Sequence, residues 1–107
     1  MTTVDETFLW AQRCLNGEIA PGMRMVVLRI EETRVTYRDY LDIEPNSFLR
    51  ERAEIVAVNF DSGLPTKLDA LDTEFIHSTE PLGKLECFDG ILFRRWENDQ
   101  GTTAPDE

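Results

Sequence analysis

The chain is poor in cysteine and histidine, short of bases relative to its acids, and without a long apolar run. Each shortage removes a class of function. Cys14 and Cys87 match neither zinc-ligand nor redox-motif spacing, so neither a metal nor an organic cofactor is expected. Both lie in apolar neighbourhoods and read as free thiols in a reducing compartment, a disulfide being the alternative. The single histidine, His77, has no evident nucleophile and third partner to work with, Ser62 included. Glycine-rich phosphate loops and calcium loops are absent. Eleven bases stand against 21 acids, a net charge of −10. Such a field repels phosphate backbones and anionic lipid, which argues against nucleic-acid and membrane partners. No apolar stretch approaches the roughly 20 residues of a membrane span. No positive start followed by an apolar run marks a signal peptide, and a cytoplasmic location is expected.

What remains is an ordinary globular composition, 41% hydrophobic and 30% charged over 107 residues. That length suits one domain, read over residues 1–97, with a disordered acidic tail at 98–107 that lacks large apolar side chains. Asp5 to Asn16 reads as a helix capped by Asp5 and ended by Gly17. Met23 to Ile30 and Val35 to Ile43 read as two strands joined across Glu31 to Arg34. A turn or loop is expected around Phe48 to Arg52. Ala53 to Phe60, with the run Ile55-Val56-Ala57-Val58, reads as a buried strand. Leu68, Leu71, Phe75 and Ile76 fall at helical spacing after Pro65, which predicts a second helix carrying His77. Asp89-Gly90 is a preferred tight-turn pair, so Leu85 to Trp96 reads as a hairpin. Strands without regular βαβ alternation indicate an α+β fold: a small antiparallel sheet with two main helices.

Nine of the eleven bases are arginine. Arg24, Arg29, Arg34 and Arg38 fall in one stretch, and Arg50 and Arg52 follow. Arginine is the better fork for carboxylates, so a small-anion site is conceivable within an acidic protein. The plainer reading has them as solvated strand residues paired with Glu31, Glu32 and Asp39. The six phenylalanines read as core.

One block has a familiar order. Asn59-Phe60-Asp61-Ser62-Gly63-Leu64-Pro65 would follow a strand and open a helix, and Pro81-Leu82-Gly83 comes after it. This resembles the chorismate lyase-like proteins over roughly Val35 to Leu85. The resemblance implies a truncated form of that fold and a cofactor-independent carbon–oxygen lyase that eliminates pyruvate from a small aromatic or enolpyruvyl carboxylic acid. Arg38 would grip the substrate carboxylate, the backbone at Leu82 and Gly83 would line the pocket, and Glu97 or Glu86 would supply the proton. Neither glutamate matches the family's motif, so binding without turnover, or a site completed in a homodimer, is also implied.

A different class stands beside this one. A small acidic interaction protein, of inhibitor, immunity or adaptor type, would cover a basic partner surface with its carboxylates and catalyse nothing. The position of Arg38 separates the two. A lyase needs it pointing into a closed apolar cavity, and an interaction protein leaves it paired near the surface.

Overall fold

The computed structural model describes residues 3–65 and 67–97. The expected tail at 98–107 lies outside them. The first helix, α1 (Val4–Cys14), is capped by Thr3, whose hydroxyl accepts from the Glu6 amide at 3.1 Å, so the cap sits ahead of Asp5. Asp5 and Glu6 in its first turn complement the helix dipole. Thr7, Ala11 and Cys14 form its buried stripe. Strands β1 (Met23–Glu31) and β2 (Arg34–Leu41) pair antiparallel, Glu31 opposite Arg34, so the connection is Glu32-Thr33.

The next two elements are exchanged relative to the sequence reading. Ser47–Gly63, which contains the expected strand, is a helix, α2. Leu49, Ala53, Val56 and Phe60 are its buried residues, and their spacing follows the helical period. Asn46 caps it, accepting from the Leu49 amide at 2.8 Å. Asn46→Ala is expected to cost about 1 kcal/mol in a urea titration, and an unchanged midpoint would show that the cap adds nothing. Ala70–His77, expected as helix, is strand β3. It pairs parallel to β2, from Arg34 opposite Ala70 to Leu41 opposite His77, and α2 is the crossover that a parallel neighbour requires. The loop expected around Phe48 to Arg52 is the first turn and a half of α2.

The expected hairpin over Leu85 to Trp96 does not form. Its second half is β4 (Gly90–Arg94), which pairs antiparallel with β1. Phe88 meets Leu28 only as an isolated bridge and takes a positive φ of 50°. The described residues thus form an α+β fold of two helices and a four-stranded sheet in the order β3-β2-β1-β4. The sheet is mixed rather than wholly antiparallel, because β3 enters through a helix and not a tight turn.

Both sheet faces are covered. On one, α1 and α2 pack against Val26, Leu28, Val35, Tyr37 and Leu41. Phe60, fully buried, meets the Tyr37 ring edge-on at 5.4 Å. The Trp10 indole donates to the Phe60 carbonyl at 3.0 Å, which locks the two helices together. A Cβ at Gly63 would lie 2.1 Å from that indole, so the close approach requires glycine. On the other face, Met25, Val27 and Tyr40 are covered by Leu82, Leu85, Cys87 and Phe88. These belong to the connection that crosses from β3 at one edge to β4 at the other. Cys14 is buried, Cys87 half-buried, and both are free thiols.

Candidate functional site

The residues singled out from sequence fall into two separate clusters. Arg38 projects from β2 on the face away from the helices. Its Nε and Nη2 donate to Glu74 Oε1 at 2.9 and 2.8 Å, and its Nη1 donates to the Tyr40 hydroxyl at 3.3 Å. Its guanidinium stacks 4.5 Å from the centre of the Phe88 ring. The Tyr40 hydroxyl in turn donates to the Glu86 carbonyl at 2.7 Å. Glu86 therefore joins this cluster through its backbone, while its carboxylate accepts from the Phe88 amide at 3.0 Å. Leu82 is buried beside Tyr40, in a 3-10 turn at Leu82–Lys84, and Gly83 is exposed on that turn. Arg38 is thus paired and stacked at a half-buried position.

Glu97 belongs elsewhere. Its carboxylate accepts from Arg24 Nε at 2.9 Å and Nη2 at 2.6 Å, a two-pronged fork. Arg95 adds Nη2 at 2.8 Å and spends Nη1 on Asp42 at 2.8 Å. Arg24 also donates to the carbonyls of Ser78 at 2.7 Å and Glu80 at 2.8 Å. Its side chain is only 4% exposed. Hydrogen bonding from Arg24, reinforced by Arg95, holds the Glu97 carboxyl down to about 2. This cluster clasps β1, the end of β3 and the segment after β4. A signal for it was present in the sequence: Arg24 interrupts the apolar run Met23 to Leu28, where a charge must find a partner.

Asp39 faces the helices from β2 and is 5% exposed. Loss of solvation raises its carboxyl from the ordinary 3.8 to about 7. It lines a cavity of about 10 Å³ with Tyr37, Thr73, Glu18 and Arg52, room for one water. Sites for drug-sized ligands run to roughly 300–1,000 Å³. Arg38 does not line it.

The outward sides of the two helices form the remaining surface of note. On α2, Phe48 is 55% and Val58 60% exposed, and Glu51, Glu54 and Asp61 are exposed around them. Glu51, Glu54, Ile55, Val58 and Asn59 line an open groove there. Phe48 thus departs from the expectation that the phenylalanines are core. On α1, Val4 and Leu9 are exposed beside Asp5 and Glu6. His77 sits at the end of β3 and pairs with Glu44 at 3.0 Å, remote in kind from any nucleophile arrangement.

A family model described as the MafI2 immunity protein matches residues 4–97, from the first residue of α1 to the Glu97 clasp. The chain belongs to the MafI2 immunity protein family. No curated protein matches it.

Membership in the MafI2 family overturns the chorismate lyase-like resemblance, and with it the truncated lyase fold and the lyase activity. The structure supplies the physical reason. Asn59 to Gly63 closes a helix instead of ending a strand, and Leu64-Pro65 leads into β3 instead of opening a helix. Pro81-Leu82-Gly83 is a turn that roofs the second sheet face. Short motifs kept their order while the elements around them differed. For this MafI2-family chain, what stands is the other class, an immunity-type interaction protein with a protein partner.

Proposed function

We propose that this MafI2-family protein neutralises a toxin by binding it, and that the toxin presents a basic surface to the contact. The family match over residues 4–97 is the observation that carries the reading. The charge of −10 supports the finer part, because an acidic partner would be repelled and a basic one drawn in. The Arg38 pair with Glu74 is in keeping with a structural role for that arginine.

The test is co-expression with the products of the genes flanking this chain's own, each first screened alone for toxicity. Growth should be restored, and the two proteins should co-purify as a complex that weakens as salt rises from 50 to about 500 mM, since ions screen exposed charge. Unrelieved toxicity with no complex would sink the immunity reading. A salt-insensitive complex would sink only the basic-surface part.

A further inference from the structure

We infer that the outward face of α2, centred on Phe48, Ile55 and Val58 and rimmed by Glu51, Glu54 and Asp61, is the surface that docks onto a basic, apolar-centred patch of the toxin. This rests on the immunity reading and adds the location. The helix already anchors itself to the sheet through Leu49, Ala53, Val56 and Phe60. Its second apolar stripe therefore contributes little to the fold, with Phe48 and Val58 more than half exposed. An apolar centre inside a charged rim is the usual anatomy of a protein–protein contact. The opposite face of the sheet has no comparable vacancy, being roofed by Leu82, Leu85, Cys87 and Phe88.

The charges choose the occupant. The rim carries three carboxylates; Arg52 offsets Glu51, and Glu54 and Asp61 are exposed with no ion pair among the described residues. Arg52 pairs with Glu18 and Glu51 and stacks 5.4 Å from the Phe48 ring. Arg50 stacks 5.1 Å from Phe75, towards β3. A second copy would bring carboxylate against carboxylate. The residues after Glu97 carry Asp99, Asp106 and Glu107 and no base, so they too would be repelled. Lysine or arginine flanking an apolar patch satisfies both parts of the face.

The experiment measures binding of the full chain, at 0.15 M salt, to the purified toxin identified by the co-expression test. Val58→Arg should weaken binding by roughly a hundredfold, as a loss at the centre of an interface does, and Glu54→Lys by roughly tenfold, because it sets a like charge against the basic patch. Glu32→Lys, the same charge reversal at the β1–β2 turn, should change it less than about threefold, since salt screens an exposed charge remote from the contact. Thermal melts check that each variant is folded. Hydrogen exchange on the unmodified chain supplies a readout free of mutation: the complex should protect residues 48–62 above the rest of the surface. Tight binding by the unmodified chain together with unchanged affinity of Val58→Arg, or protection confined to another face, would overturn the α2 assignment and leave the immunity reading standing. A dimer of the unmodified chain in sedimentation that Val58→Arg dissolves would assign the face to a second copy and overturn the proposal. Failure of the unmodified chain to bind or neutralise the toxin would remove the reading and the face together.

Discussion

Replacing Arg24 by methionine will destabilise the protein by about 3–5 kcal/mol at pH 7, the usual cost of breaking a buried ion pair from one side. Methionine fills much of the same volume, so packing is not the main loss. Glu97 would be left with Arg95, and the carbonyls of Ser78 and Glu80 would lose their donor in a place where water is scarce. Arg24→Lys should recover only part of the loss, because an ammonium cannot fork across both carboxylate oxygens and reach two carbonyls as well. Combining Arg24→Met with Glu97→Gln should cost less than the two changes summed, since the second removes the stranded charge. Urea titrations of the parent and the four variants decide this, and a loss below about 1 kcal/mol for Arg24→Met would show that the clasp is a surface ornament. The pH dependence has a definite sign. Glu97 is held at about 2 in the folded state, below its ordinary 4.5. Its stabilisation is complete above 4.5 and disappears as pH falls through 2, and Arg24→Met should erase most of that dependence.

Asp39→Asn is expected to act in the opposite direction and to stabilise the protein at pH 8. The folded carboxyl is raised to about 7 by burial, against an ordinary 3.8. Between these values the unfolded chain has released the proton while the folded chain holds it. Folded protein therefore binds more protons, and stability falls as pH rises from about 4 to 7. A three-unit difference corresponds to a few kcal/mol, about 1.4 kcal/mol for each unit. The amide carries no charge to desolvate, so the variant should gain most of that at pH 8 and almost nothing at pH 4. Unfolding free energies at the two pH values test the claim. A variant no more stable at pH 8 than the parent would mean that the Asp39 carboxylate is solvated within its small cavity. Taken together, Glu97 and Asp39 place the stability maximum of the unmodified protein at about pH 4, where the Glu97 contribution is almost complete and the Asp39 loss has barely begun.

Which elements were legible follows from how local their determinants are. The first helix and the β1–β2 hairpin were readable because their signals lie within a few residues: the apolar spacing of Phe8, Ala11 and Leu15, and two β-rich runs around a tight connection. α2 and β3 were exchanged for a specific reason. Ile55-Val56-Ala57-Val58 is continuous and apolar with three β-branched residues, and a short run of that kind is ambiguous between buried strand and helix. Only Val56 of the four is buried. The deciding pattern is the wider one of Leu49, Ala53, Val56 and Phe60, together with the Asn46 cap. In β3, Leu71 and Phe75 fit helical spacing as well as they fit alternate positions of a strand, and pairing with β2 settles the matter. The exposed carboxylates and apolar residues of α2 were in plain view as residue types, but their position on one face depended on knowing that the segment is a helix.

By itself, the sequence determined the α+β class, the acidic field that opposes anionic partners, and the alternative of an immunity-type interaction protein. These depend on composition and on periodicity over a turn or two of chain. The tertiary structure alone decided that β3 joins the sheet parallel, that the connection to β4 roofs the second face, and that Arg24 meets a carboxylate 73 residues away. It also decided that Asp39 is buried while Val58 is not. Each of those outcomes depends on what is packed against a residue from distant parts of the chain. Desolvation and ion pairing are properties of that surrounding, and local spacing does not contain them.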